Sequence, residues 1–368
     1  VGLRAVRQQK LLGLELMRFM AAFAVLFWHY QHLWWTPVGL TGFVRTAQPL
    51  YRLFSIFYDF GLYGVQVFWA ISGYIFFWKY RRSVAERRIG YRTFFVLRFS
   101  RLYPLHFATL LLVAALQIVY VSLRGYSFVY GKNDLFHFAL QLLFASNWGF
   151  QSGASFNGPI WSISVEILAY ITFFAVLRYL GSSLLSSIAI IIAATAGYTW
   201  GGHSPIFQCF VCFYVGGLSA TLAASPWAQA HRRLLFQFAV ACLIIVPVIA
   251  VAIHVERFKF LAQAATIAYL PVLLYVMAEH CRIPGRLTKA VVGAGNLTYS
   301  SYLIHFPLQL TIAIVCAVLD VAIPAENPVF FVCYMGTIWL LAWLILEFYE
   351  MPCQRLVRRR LAPADPTS

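Results

Sequence analysis

The sequence predicts an all-α, polytopic membrane fold, and three observations predict it. Of 368 residues, 61% are hydrophobic and 11% charged, whereas a soluble domain carries nearer 25% charged residues. Apolar runs long enough to cross a bilayer as helices recur along the chain. The basic residues between those runs sort to one side of a membrane, as the positive-inside rule requires.

In chain order the apolar segments cover residues 11–35, 60–79, 102–122, 161–180, 184–201, 205–223, 235–253, 261–279, 296–319 and 328–349. An eleventh, 135–148, is short for a span and reads as re-entrant or interfacial. With the N-terminus inside, 22 of the 28 Lys and Arg residues fall on the cytoplasmic side; outside fall Arg45, Arg52, Arg124, Lys132, Arg257 and Lys259. Promoting 135–148 to a full span would invert every later loop and destroy that asymmetry. Ten spans with both termini cytoplasmic are therefore expected, with residues 1–350 as one transmembrane domain and 351–368 as a basic, then Pro-rich, cytoplasmic tail. The basic start (Arg4, Arg7, Lys10) runs into an apolar stretch too long for a cleaved leader, so none is expected.

The net charge of +16 follows mainly from basic residues at cytoplasmic helix ends. The bulk partner it implies is anionic lipid rather than nucleic acid. Residues 79–101 carry eight basic residues, more than orientation needs and enough to hold a polyanionic cytosolic ligand. Seven cysteines lie mostly within spans; Cys209 and Cys212 form a lone CxxC without further ligands at metal spacing. Small apolar packing explains them, and no metal is expected. No internal repeat is visible.

Polar residues that interrupt the apolar runs are the candidates for chemistry, because ionisable groups inside a membrane helix are costly. The first run holds Glu15, Arg18 and His29. At about 100° per residue, eleven positions turn a helix by three turns plus roughly 20°, so Arg18 and His29 share a face about 16 Å apart along the axis. Residues 64–74 end in Ser72-Gly73-Tyr74, and the Ser-Gly pair permits close helix approach. Arg98-Phe-Ser-Arg101-Leu-Tyr-Pro104 places two arginines three apart on one helix face, and the guanidinium fork suits phosphate. Asn157-Gly-Pro159-Ile-Trp161-Ser162-Ile-Ser164-Val-Glu166 enters a span with proline at a helix start. Gly295-Asn-Leu-Thr298-Tyr299-Ser300-Ser-Tyr302-Leu-Ile-His305-Phe-Pro307 lies in the ninth run, and Phe348-Tyr-Glu350-Met-Pro352 closes the tenth.

Taken together, in order and over essentially the whole chain, these motifs resemble the membrane-bound acyltransferase-3 family of integral-membrane O-acyltransferases. Departures from that pattern are Gln66 and Glu15, where many relatives have Asp, and Ile167, where a second Glu commonly follows. The resemblance implies a multi-pass protein of the bacterial cytoplasmic (inner) membrane that moves an acyl group, usually acetyl, from cytosolic acyl-CoA to a hydroxyl of an envelope or secreted glycan. It implies no permanently bound cofactor; acyl-CoA is the co-substrate, and the acceptor is a glycan or lipid-linked sugar. A sugar hydroxyl is a poor nucleophile until a positioned base takes its proton, and histidine is the commonest such base. His29 is accordingly the expected general base, with Glu166 to orient it or to bind acceptor hydroxyls. Arg18, Arg98 and Arg101 are the expected donor-binding residues. Glu15, Ser72, Trp161, Ser164, Tyr299, His305 and Glu350 are expected to line or support the site. His32, His106, His137, His203, His231, His254 and His280 read as surface or interface residues.

Blander readings exist. His29, beside Tyr30, Trp34 and Trp35, could belong to an interfacial aromatic belt, and Arg98 and Arg101 could be topology anchors. A transporter or flippase for a lipid-linked sugar, or a non-catalytic subunit of a glycan-export complex, would also place ionisable residues within spans. Transporters, however, often show paired halves, and none is visible. The acceptor hydroxyl, the acyl group and the oligomeric state are not legible in the sequence.

Overall fold

The structure is a computed structural model that describes residues 2–252 and 259–361. His254, Arg257 and the Pro-rich end 362–368 lie outside the described residues, as do the side chains of Arg4, Arg7, Lys10 and Lys259. The chain is almost wholly helical: α1 Gly2–His29, α2 Tyr51–Phe60, α3 Gly64–Ala85, α4 Tyr91–Arg124, α5 Leu135–Leu142, α6 Trp161–Tyr179, α7 Leu184–Trp200, α8 Pro205–Ala223, α9 Pro226–Ala230, α10 Arg232–Ala252, α11 Lys259–Glu279, α12 Thr288–Val318, α13 Pro328–Ile345 and α14 Met351–Leu361. A two-residue antiparallel ladder, β1 Trp35–Thr36 with β2 Gly39–Leu40, follows α1.

Among the described residues, eight helical stretches are long and apolar enough to cross a membrane: Leu12–Trp34, Tyr51–Ala85, Tyr91–Arg124, Gly158–Tyr179, Pro205–Ala223, Arg232–Ala250, Gly285–Val318 and Pro328–Leu361. Two shorter apolar helices, Leu184–Trp200 and Ala264–Glu279, occupy the remaining two expected segments. The weak segment at 135–148 contains only the eight-residue α5, about 12 Å long, which cannot span a bilayer. The first span departs from an uninterrupted helix: α1 ends at His29, and Tyr30–Trp34 tighten into a 3₁₀ turn. The expected tail opens as a helix, because Leu346–Glu350 form a single π turn that passes directly into α14.

The chain divides into two compact units, residues Val1–Phe19, Val65–Ile89 and Glu166–Gly295, and residues Met20–Gly64, Gly90–Val165 and Asn296–Ser368. In the first, α3 crosses α8 on glycine. A Cβ on Gly73 would lie 1.8 Å from the Phe213 carbonyl oxygen, and one on Gly216 would lie 2.0 Å from that of Ala70. Only glycine allows two backbones so close, which is the physical reason for the Ser72-Gly73 pair. Phe76, Phe173 and Phe213 pack around this crossing, with Phe76 stacked on Tyr170 at 4.4 Å.

The second unit is built on two apolar clusters. One joins Leu26, Phe27 and Tyr30 to Tyr58 and to Phe331, Tyr334 and Ile338 of α13. The other joins Leu110, Val113 and Tyr120 of α4 to Phe306 and Leu310 of α12. Pro307 lies inside α12 and has no N–H, so the carbonyl of Leu303 four residues earlier loses its helical donor. The Asn157 side-chain amide supplies one at 3.0 Å, tying the segment before α6 to the middle of α12.

Candidate active site

Three histidines gather in the second unit. His29 is the last residue of α1, His32 lies in the 3₁₀ turn that follows, and His305 lies on α12 just before Pro307. All are buried. Ring centroids of His29 and His32 are 4.9 Å apart, and those of His29 and His305 5.0 Å.

Hydrogen bonding decides which nitrogen of each ring carries its proton. A carbonyl oxygen can only accept, so His29 Nδ1, 2.9 Å from the Val25 carbonyl, is the protonated nitrogen and Nε2 keeps the lone pair. The same logic holds for His305, whose Nδ1 donates to the Tyr302 carbonyl at 2.6 Å. Its buried Nε2 has no hydrogen-bond partner among the described residues.

His32 is fixed through Gln309, four residues after His305 on α12. The His29 carbonyl, at the junction of α1 with the 3₁₀ turn, also accepts from the Gln309 amide nitrogen at 2.9 Å. This sets the amide's orientation, leaving Gln309 Oε1 to accept from His32 Nδ1 at 3.1 Å. His32 Nε2 then accepts from the Tyr130 hydroxyl at 3.4 Å. Burial pushes the Tyr130 phenol well above its ordinary range, keeping it a donor. The Tyr130 ring reaches this place only because residue 158 is glycine, where a Cβ would meet the ring at 2.3 Å. All three imidazoles are thus Nδ1–H tautomers with Nε2 lone pairs, and one side-chain amide holds two of the residues.

Around this cluster, Tyr302 donates to the Pro159 carbonyl at 2.5 Å and receives the Ser162 hydroxyl at 2.8 Å. Ser164 is buried and structural in its contacts: Oγ accepts from the Asn147 amide, and its carbonyl accepts from the Trp148 indole at 2.8 Å. Trp161 is the first residue of α6 and half-buried.

Arg98 and Arg101 are both half-buried on the first turns of α4, helical as the three-residue spacing requires. Ser100 between them accepts from Arg358 Nε of α14 at 3.1 Å. Tyr299 donates to the Leu102 carbonyl on the next turn of α4. Glu350, buried in the π turn, accepts from Ser300 at 2.6 Å. Arg358 thus meets α4 at Ser100, which lies between Arg98 and Arg101 in sequence.

The remaining expected residues lie in the first unit. Glu15 and Arg18 form an ion pair at 3.0 Å, one turn apart on α1. Glu166 accepts from Tyr170 at 2.7 Å, and the Tyr170 oxygen in turn receives the Ser72 hydroxyl at 3.3 Å. The bond seen to orient the His29 ring comes from Val25 of its own helix rather than from a carboxylate.

Sequence reading missed His32, Gln309, Tyr130, Asn157 and Arg358 as members of these clusters. A signal existed for two of them: His32 follows His29 by three residues, and Gln309 follows His305 by four, the spacings that share a helix face. His32, His106 and His137, expected at the surface or an interface, are buried, whereas His203 and His231 are exposed.

A family described as "Acyltransferase domain" matches residues 11–347. The protein named Acyltransferase MdmB, from Streptomyces mycarofaciens, is 30% identical over 174 residues, covering 46% of this chain and 39% of that relative. The chain thus aligns with about two fifths of the length of the curated relative it matches. No solved structure matches it significantly. With motifs running the length of the chain and a family match from the first apolar helix to the last, the chain belongs to the membrane-bound acyltransferase-3 family.

Proposed function

We propose that this protein is an O-acyltransferase of the bacterial cytoplasmic membrane, moving an acetyl or similar acyl group from cytosolic acyl-CoA to a hydroxyl of a cell-envelope or secreted glycan. One observation carries the mechanism: the His29 Nδ1–H is committed to Val25, so Nε2 is the basic atom. The acceptor hydroxyl gives its proton to Nε2 as its oxygen bonds to the thioester carbonyl carbon. The C–S bond then breaks, and the departing thiolate recovers the proton from Nε2. A positioned general base contributes roughly 10²–10⁴-fold to such a step.

Arg98 and Arg101 grip the donor's phosphates, a geometry that the guanidinium fork matches, and Arg18 adds positive charge on the donor's route. Glu166 binds acceptor hydroxyls, and Ser72 lines the site. His305 lines the site beside His29. Glu15, Trp161, Ser164, Tyr299 and Glu350 support these elements. Anionic lipid surrounds the basic helix ends. The similarity to a protein named as an acyltransferase supports the reaction class.

Mass spectrometry of envelope and secreted glycans, from cells with the chain, without it and with His29→Ala, tests this reading. Acylated sugars present only with the intact chain, and lost in His29→Ala at equal protein level, are expected. Unchanged acylation in His29→Ala would exclude His29 as the base. Unchanged acylation without the chain would point to the transporter or export-subunit reading.

A further inference from the structure

The segment between α4 and α6 holds a second group of chemistry-bearing side chains that the His29 cluster does not use. Asp134 caps the N-terminus of α5, accepting from the His137 backbone N–H at 2.9 Å. The cap needs only one carboxylate oxygen. Yet both oxygens lie within reach of the His137 ring, with Nδ1 at 2.8 Å from Oδ1 and 2.9 Å from Oδ2. A carboxylate only accepts, so Nδ1 carries the proton and His137 Nε2 carries the lone pair. Opposite that lone pair stand the Ser152 hydroxyl at 3.3 Å and the Ser152 backbone N–H at 3.2 Å. The imidazole is shielded, with 3% of its residue surface exposed, while Ser152 is exposed. A reagent can reach the hydroxyl while the base stays dry.

The loop presenting Ser152 is held on both sides. Asn133 accepts from the Phe156 amide at 2.6 Å and donates to the Tyr130 carbonyl at 2.8 Å. Gln141 on α5 donates to both the Ser155 carbonyl and hydroxyl, at 2.8 and 3.2 Å. Lys132 lies along Gly153, the residue after the serine; its Cε is 3.7 Å from where a Cβ on that glycine would sit. The ammonium is one bond beyond. Carboxylate, imidazole and hydroxyl in this order are the groups that acyl transfer through a serine uses, and the cation stands beside them.

We propose that Asp134, His137 and Ser152 form a second acyl-handling site, which accepts a small acyl group from an oxygen or sulfur ester onto Ser152 and delivers it to water or another hydroxyl. In the first half, Ser152 Oγ bonds to the acyl carbon and its proton passes to His137 Nε2. The bond to the leaving alcohol or thiol breaks, and that group takes the proton from Nε2. In the second half, water or an acceptor hydroxyl attacks the acyl-serine and gives its proton to Nε2, which returns it to Oγ. Asp134 stays ionised throughout and holds the ring. The Ser152 N–H, which shares the lone pair at rest, turns to the oxyanion with the Lys132 ammonium as charge develops. The hydrogen bonds from His137 hold the Asp134 carboxyl below its ordinary range, in keeping with that role.

This proposal does not depend on the His29 reading, and its test is built to show that. The full-length His29→Ala protein, in detergent, is treated with a fluorophosphonate and separately with p-nitrophenyl acetate, and peptides are read by mass spectrometry. Fluorophosphonylated or acetylated Ser152 is expected, with labelling abolished by Ser152→Ala and slowed at least about tenfold by His137→Gln. Because a bulky probe can be blocked by its size, Ser152→Cys is also alkylated with iodoacetamide, with and without His137→Gln. Faster alkylation of that residue when His137 is present is expected. No modification of Ser152, together with alkylation at equal rates with and without His137, overturns the proposal and leaves these residues as a loop clasp.

Discussion

Removing the Gln309 amide tests whether one side chain holds the base in place. Gln309 is fully buried and makes two bonds, donating to the His29 carbonyl and accepting from His32 Nδ1–H. In Gln309→Leu both partners stay buried and lose these bonds. An unmet buried polar group costs about 1–3 kcal/mol in soluble proteins, but interhelical hydrogen bonds inside membranes average nearer 0.6 kcal/mol. Two such bonds put the expected loss at about 1 kcal/mol at the membrane average, and at about 2–6 kcal/mol if neither group finds a new partner.

Activity should fall further than stability suggests. The His29 carbonyl ends α1, and without Gln309 the junction with the 3₁₀ turn loses its anchor. A displacement of about 1 Å at a catalytic group costs on the order of 10²-fold in rate. Gln309→Glu keeps an acceptor for His32 but cannot, when ionised, donate to His29, so it separates the two bonds. The measurements are unfolding in mixed micelles and acyl transfer at saturating donor. If Gln309→Leu matches the parent in both stability and rate, the anchoring argument fails.

Gly73→Ala should destabilise the first unit by roughly 1–3 kcal/mol or more, because the new methyl meets the Phe213 backbone; thermal unfolding and folded yield in detergent read it, and parental stability would contradict the close crossing. Ser300→Ala strips buried Glu350 of its 2.6 Å donor and should cost about 1–3 kcal/mol; restored stability in Ser300→Thr would tie the loss to the hydroxyl. The Asp134 carboxyl is held low by the His137 hydrogen bonds, so its contribution is complete above the unfolded value near 3.9 and disappears as pH falls through the lower folded value. The melting difference between the parent and Asp134→Asn should therefore be constant above roughly pH 5 and shrink below about pH 4. A difference that grows on acidification would reverse the sign argument.

How much of the candidate site could be read in advance depends on whether its residues are local in sequence. Arg18 and His29 sit on one helix, and their eleven-residue spacing becomes a shared face once α1 exists. Arg98 and Arg101 likewise need only α4. The Arg358 contact with Ser100 was invisible, because the π turn at Leu346–Glu350 carries α14 onward and no periodicity marks where a basic tail returns. His32 reads from the sequence as a surface or interface residue, since nothing in Tyr-Gln-His-Leu-Trp reveals that α1 gives way to a tighter turn at that point.

Composition, apolar length and the sorting of basic residues were enough to predict a helical membrane protein, because a chain that cannot satisfy its backbone in lipid has few other options. The ordered motifs were enough to suggest the family. Proton placement was beyond any pattern of letters. It comes from partners far apart in the chain: Gln309 meets the end of α1, Asn157 meets a carbonyl left open by Pro307, and Ser152 meets His137 across a loop. Hydrogen bonds act over about 3 Å, and only folding brings such residues within that distance.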